Sequence, residues 1–248
     1  ARGEFVKFLD SDDELLPGAL AMELAAARQA AGDALLTGWE ERTWHADGTE
    51  DADRRRTRAA PDLRNGIDDM LVGKAPWTSA ALYRTAFVQA LRWDPAWTKA
   101  QDWGWALTVC LAGVRFHTLD IPSCIYHHHA EERITRGGDV VLRSTRARQL
   151  LLHMVERELQ QQNALTPERR RMLAQYYYRD AQVLAQHDPD GWRAVWAHCL
   201  EIQPAFRPRE SNRVVRVFTH LAGVHRGIAW YVRTKRLAQS LGFFRPAP

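Results

Sequence analysis

The chain has 248 residues, of which 46% are hydrophobic and 26% charged, and its formal net charge is +4. This length and composition suit one large domain or two small ones with a hydrophobic core. No run of about 18 apolar residues exists, which argues against a transmembrane span, and no signal peptide is visible. The three cysteines, Cys110, Cys124 and Cys199, form no CxxC pair and predict reduced, mostly buried thiols. We therefore expect a cytoplasmic protein.

The predicted elements begin with a short apolar strand over residues 5–9. An acidic turn containing Asp10, Asp12 and Asp13 follows directly. Apolar residues at helical spacing then predict a helix over residues 15–31, and residues 34–44 are typical of a strand.

The middle of the chain alternates between short helical and extended segments. Residues 45–65 are polar and predict an exposed loop or a small insertion. The elements after it are a helix over 67–71, an extended stretch from 76, a helix over 82–91, a helix over 102–112 ending at Gly113, and strands over 114–119 and 121–127. This alternation predicts an α/β layer architecture.

Beyond Gly137-Gly138 the pattern becomes helical. Helices are predicted over residues 139–162, from a Thr166 N-cap with Pro167 at the first helical position, from residue 188, and over residues 212–241. We place a domain boundary at residue 138, between an α/β part (1–138) and an all-helical carboxyl-terminal extension (139–248).

Positive charge is concentrated at the end of the sequence. Residues 205–248 contain nine basic side chains and one acid, Glu210. Such a tail can contact an anionic membrane surface weakly, or its arginines can simply cover the solvent faces of terminal helices. The arginines are not interleaved with a recognised nucleic-acid-binding motif, so we expect no nucleic-acid partner.

The acidic turn after the first strand has the most specific chemistry. Carboxylate oxygens suit Mn²⁺ or Mg²⁺, which proteins often bind through one or two carboxylates together with substrate phosphates. An isolated Asp-x-Asp turn can equally serve only to keep the end of a strand soluble. The segment around it favours the metal site.

Three segments together resemble the signature motifs of glycosyltransferase family 2, which has the GT-A fold. They are RGEFVKFLDSDDELLPGAL at residues 2–20, LRWDPAWTKAQDWGWAL at residues 91–107, and Tyr126-His127-His128-His129. The resemblance implies an inverting, metal-dependent transfer of a sugar from a nucleotide-diphosphate sugar. The implied acceptors are glycan, lipid-linked or protein-linked, as in cell-wall or polysaccharide biosynthesis.

The resemblance also implies roles for individual residues. Asp10, Asp12 and Asp13 would hold Mn²⁺ or Mg²⁺, and His129 would join the metal ligands or contact the diphosphate. Asp102 would be the general base that takes the proton of the acceptor hydroxyl. The alternative for Asp102 is a plain helix N-cap.

The substrate-binding residues implied by the same motifs are Gln101, Trp103 and His127. Gln101 stands where the family usually has Glu, and His127 stands where it most often has Arg. Trp103 is our candidate for stacking on the acceptor, although most tryptophans nearby are expected in the core. A separate zinc site on the three adjacent histidines is disfavoured, because neighbours on a strand point to opposite faces.

In the family, a βαβ-type half precedes the metal-site strand and binds the base and ribose of the donor. That half is absent here, so the chain resembles the carboxyl-terminal part of such an enzyme, and we expect the isolated chain to be inactive. The competing interpretation is a truncated or degenerate, non-catalytic module that binds glycan or the inner face of a membrane.

Overall fold

The computed structural model describes residues 1–97, 99–128, 140–188 and 190–209, together with residues 216–217, 223, 226–227, 230 and 233–234. The chain divides into two compact units. The first, here called the sheet unit, comprises Ala1–Gly138 and Arg157–Gln161. The second, the helical unit, comprises Asp139–Glu156 and Gln162–Pro248. That the first is a catalytic domain and the second an extension of it stays a prediction.

The sheet unit is built around a mixed sheet. Its strands within the described residues are β1 (Phe5–Lys7), β2 (Glu14–Leu15), β3 (Ala34–Trp44), β4 (Glu50–Arg58), β5 (Ala81–Arg84) and β6 (Phe116–His128). The strand order is β1-β5-β3-β6-β2, with β4 paired to β3 beside this path. Strands β3 and β6 run parallel, and the other pairs are antiparallel.

Short helices connect these strands. They are α1 (Ala19–Gln29), α2 (Ile67–Leu71), α3 (Thr85–Val88) and α4 (Gln101–Leu111), and a 3₁₀ turn covers Thr78–Ala80. Ala27 of α1 packs with Leu35 and Leu82 in the core. The predicted end of α4 is confirmed, because Gly113 adopts a positive φ of 79° just after the helix.

Gly38 allows the middle of β3 to pack closely against its neighbours. A Cβ atom at this position would lie 2.5 Å from the backbone oxygen of Arg58 in β4. The pairing register between β3 and β6 shifts on both sides of Gly38. A residue with a side chain would therefore force the strands apart.

Three expectations for the sheet unit are wrong in detail. Residues 45–65 include strand β4, which can be polar throughout because it pairs with β3 alone and lies at an edge. Residues 82–91 were predicted as one continuous helix, but they form most of β5 and then the one-turn helix α3. The apolar run is a strand here because it pairs with β1 on one side and with β3 on the other. The two strands predicted over 114–127 are one strand, β6, in which Pro122 falls at the register shift opposite Gly38.

Within the described residues, the long helices of the helical unit are α5 (Val140–Gln161, whose last turn belongs to the sheet unit), α6 (Pro167–His187) and α7 (Gly191–Ile202). The predicted start of α6 is confirmed, since the Thr166 side chain accepts a hydrogen bond from Arg169 N at 3.2 Å. An apolar stripe of α6 is buried. It consists of Leu173, Tyr177, Ala181 and Leu184.

In α7, Leu200 is exposed and its neighbour Cys199 is buried. The helix predicted over residues 212–241 falls largely outside the described residues. No helix within the described residues is both long and apolar enough to span a membrane.

Candidate active site

The acidic turn lies directly beside the 3₁₀ turn that precedes β5. The turn closes through a hydrogen bond from Asp13 N to the Asp10 carbonyl oxygen at 3.1 Å. Because β1 pairs with β5, Ser79 of the 3₁₀ turn reaches both ends of the acidic turn. Its hydroxyl oxygen accepts a hydrogen bond from Asp10 N at 3.2 Å and donates one to Asp13 Oδ2 at 2.6 Å.

The Asp13 carboxylate is held through one of its two oxygens. Oδ2 accepts hydrogen bonds from Ser79 and from Trp77 Nε1, the latter at 2.8 Å. Oδ1 is buried and has no hydrogen-bond partner among the described residues. Burial raises the pKa of Asp13, and the hydrogen bonds from Ser79 and Trp77 oppose this effect. The hydrogen bonds to Oδ2 thus orient the Asp13 carboxylate, and among the described residues no donor binds its Oδ1.

Asp10 lies where several negative charges converge. Its pKa is raised to about 6, first by burial and then by the charges of Asp102, Asp13 and Asp12. Like charges raise a carboxyl pKa only when they are close, so the structure brings Asp102 together with the acidic turn. Such a concentration of carboxylates attracts a cation.

Asp102 is the second residue of α4 and does not cap it. The N-cap is Ala100, in the left-handed conformation and with no side-chain cap, so the interpretation of Asp102 as the N-cap is wrong. The residue is exposed to solvent, yet the protein around its carboxyl group raises the pKa, mainly by desolvation and also through the charge of Asp13. A hydrogen bond with Thr78 lowers it. The adjacent residues Thr78 and Ser79 therefore contact Asp102 and Asp13, respectively.

His127 lies close enough to the acidic turn to interact electrostatically with Asp13. The His127 side chain is almost buried, and its Nδ1 accepts a hydrogen bond from Trp44 Nε1 at 2.8 Å. An indole N–H can only donate, so the imidazole proton is on Nε2, which lies 3.6 Å from Glu14 Oε2. His129 lies outside the described residues, so its role as a metal ligand stays a prediction.

The remaining predicted site residues flank Asp102 in α4. Gln101 is exposed and Trp103 is partly buried. Trp105 is a core residue, as expected for most of these tryptophans, and stacks on Trp93 with ring centroids 5.1 Å apart.

Sequence reasoning missed three residues of the site, Trp77, Thr78 and Ser79. Trp77 also packs against Tyr126, with ring centroids 4.2 Å apart. The contacts of Trp77 and Ser79 with Asp13 span 64 and 66 residues and depend on the pairing of β1 with β5. No local motif marks these residues.

No protein-family model matches the sequence, and no curated protein sequence matches it. Among solved structures, the chain is similar to S. aureus TarS 1–349 in complex with UDP-GlcNAc, with 16% identity and a TM-score of 0.56, covering 95% of this chain and 69% of that chain. TarS 1–349 alone and with UDP match at 15% and 14% identity and TM-scores of 0.41 and 0.39, each covering 95% of this chain and 68% of that chain.

The first of these similarities establishes the fold. The chain has the mixed α/β architecture of GT-A-type glycosyltransferases, and the expected fold class is confirmed.

Proposed function

We propose that this protein transfers a sugar from a nucleotide-diphosphate sugar to a glycan, lipid-linked or protein acceptor, with inversion and with a divalent metal. The observation that supports this most is the 3₁₀ turn whose Thr78 and Ser79 hold Asp102 and Asp13. Adjacent residues of one turn thus interact with a candidate base and with a candidate metal ligand. The UDP-GlcNAc bound to the structurally similar TarS makes a UDP-sugar the first donor to test.

The donor set of the acidic turn fits Mn²⁺ or Mg²⁺. Asp13 offers a buried oxygen without a hydrogen-bond partner among the described residues, and Asp10 lies among carboxylates that disfavour its charge. These two residues, with Asp12 and His129 as further candidates, would hold the ion. When bound, the ion stabilises the negative charge of the diphosphate leaving group.

Asp102 is the candidate general base. Asp102 is an exposed residue, so an acceptor hydroxyl can approach it from solvent. Its pKa is raised toward the pH at which the enzyme would work. A general base takes up a proton more effectively when its pKa is close to that pH. The hydrogen bond with Thr78 orients the carboxylate, and a single base opposite a single leaving group is consistent with inversion.

The residues next to Asp102 and the acidic turn would bind the substrates. Trp103 and Gln101 flank Asp102 and would contact the acceptor through an aromatic ring and an amide. The Nε2–H of His127 is a donor on the side of the acidic turn and would contact the diphosphate. Trp44 fixes the orientation of this imidazole, which limits the entropy lost on binding.

Calorimetry with UDP and UDP-GlcNAc, each with and without Mn²⁺, tests the proposal on the chain itself. We expect weak binding that requires Mn²⁺ and is lost in Asp13→Asn, because the variant removes a charged oxygen ligand. Asp53→Asn is the matched control, since it removes an exposed carboxylate of β4. Binding that is equal with and without Mn²⁺, or unchanged in Asp13→Asn, would contradict the proposal. No binding of either ligand would favour the non-catalytic module.

A further inference from the structure

Three side chains of the helical unit form a compact group of potential metal ligands. His153 and Glu156 lie one turn apart on α5, and His198 projects from α7. One ligand atom from each lies within 4.8 Å of those of the other two. The site proposed above uses none of these residues.

The Glu156 carboxylate is the centre of this group. Its Oε2 lies 2.9 Å from His198 Nε2 and 3.9 Å from His153 Nδ1. The Tyr177 hydroxyl donates a hydrogen bond to the same oxygen at 3.2 Å and lies 3.1 Å from His153 Nδ1. Three polar side chains, one from each of three helices, therefore lie around one carboxylate oxygen.

We propose that His153, Glu156 and His198 bind a Zn²⁺ ion that links α5 to α7. Two imidazole nitrogens and one carboxylate oxygen are a ligand set that zinc favours, and three protein ligands leave a fourth position for water. Zinc–nitrogen bonds of about 2.0–2.1 Å place tetrahedral ligand atoms about 3.3 Å apart. Glu156 Oε2 and His198 Nε2 are already within that distance, whereas His153 Nδ1, on a half-exposed side chain, would have to move closer to Glu156 when the metal binds.

A second carboxylate supports this assignment. His198 Nδ1 lies 3.3 Å from Glu201 Oε2, one turn further along α7. A carboxylate that accepts the Nδ1 proton leaves Nε2 as the metal-binding nitrogen and makes it more basic, which is the usual arrangement behind zinc-bound histidines. Nε2 is the nitrogen that faces Glu156.

Titration of the metal-free chain with Zn²⁺, followed by calorimetry, tests the proposal. We expect one zinc to bind at this group, and His153→Ala or His198→Ala to abolish that binding. His187→Ala is the matched control, because it removes an exposed histidine of α6 in the same unit. Asp13→Asn separates this site from the carboxylates of the sheet unit and should leave zinc binding here unchanged.

Glu201→Gln keeps the test decisive if a ligand variant folds poorly. Its side chain is 73% exposed, so we expect folding without zinc to be unchanged and zinc affinity to fall by about 10- to 100-fold. Failure of the unmodified chain to bind zinc would overturn the proposal. Equal affinity in the unmodified chain, His198→Ala and Glu201→Gln would overturn it as well.

Discussion

Asp180 of the helical unit and Asp10 of the sheet unit differ in the sign of the charges that surround them. In the helical unit, Asp180 is fully buried and its Oδ1 accepts two hydrogen bonds from the Arg148 guanidinium. In the sheet unit, the charges that act on Asp10 most strongly are other carboxylates, Asp102, Asp13 and Asp12. A paired buried charge serves the packing of a fold, whereas crowded like charges reduce stability and indicate a site for a ligand of opposite charge.

The largest effect that this comparison predicts is on the stability of the helical unit. Arg148→Met should lower the free energy of unfolding by about 3–5 kcal/mol at pH 7.5, because Asp180 would keep a buried charge without its partner. Burial already raises the pKa of Asp180 to about 6, against the opposing effect of Arg148. A protonated Asp180 needs no partner, so the loss should be smaller at pH 5. Urea denaturation at the two pH values measures it.

Arg146→Met is the control for this prediction. Arg146 lies on the same helix and pairs with Asp188 at 3.1 Å, but its side chain is 60% exposed. An exposed pair of this kind contributes about 0–1 kcal/mol. Equal losses in the two variants would show that Asp180 does not depend on its buried pair.

The second prediction concerns turnover in the sheet unit. Asp102→Asn should lower sugar transfer by about 10²-fold or more in an active form of the protein, the scale typical of losing a positioned general base. Asn keeps the shape of the side chain, and Asp102 does not cap α4, so the melting temperature should not change. Steady-state transfer assays and thermal melts measure the two quantities. Turnover within a few-fold of the unmodified protein would rule out the assigned role.

The third prediction is a gain of stability in the sheet unit. The pKa of Asp10 is about 6 in the folded chain, above its ordinary 3.8, so the folded state binds the proton more tightly. Its contribution to stability is therefore present below pH 3.8 and is lost as the pH rises through about 6. Asp10→Asn cannot ionise and should be more stable at pH 7 by about 1 kcal/mol, after allowance for solvent screening.

This comparison requires EDTA, so that no divalent ion offsets the charge. Denaturant unfolding between pH 4 and pH 7 should show a smaller loss of stability in Asp10→Asn than in the unmodified chain. Asp53→Asn, at the exposed carboxylate of β4, should follow the unmodified chain. An Asp10→Asn curve parallel to that of the unmodified chain would mean that the carboxylates are not crowded in solution.

The smallest predicted effect concerns the basic residues at the end of the chain. With nine basic side chains and one acid over residues 205–248, binding to anionic vesicles should be weak and should decrease as salt is added. Vesicle sedimentation at two ionic strengths measures it. Equal recovery with neutral and anionic vesicles would eliminate membrane contact through this segment.

Local sequence determined much of the fold. The strand over residues 34–44, the helix over 67–71 and the Thr166-Pro167 helix start were predicted correctly, because periodicity and capping are properties of neighbouring residues. Residues 82–91 were predicted wrongly because a short apolar run suits a helix and a buried strand equally well. Only pairing with β1 and β3 decided between them.

The same division holds for the candidate sites. The sequence by itself predicts Asp10, Asp12, Asp13 and Asp102 as site residues, because their motifs are local and the order of these motifs resembles that of a known family. Only the tertiary structure decided that Thr78 and Ser79 hold two of these carboxylates, and that His198 meets Glu156. Those contacts join residues 24 to 66 positions apart, and distances of that kind are set by strand pairing and helix packing, which no local pattern encodes.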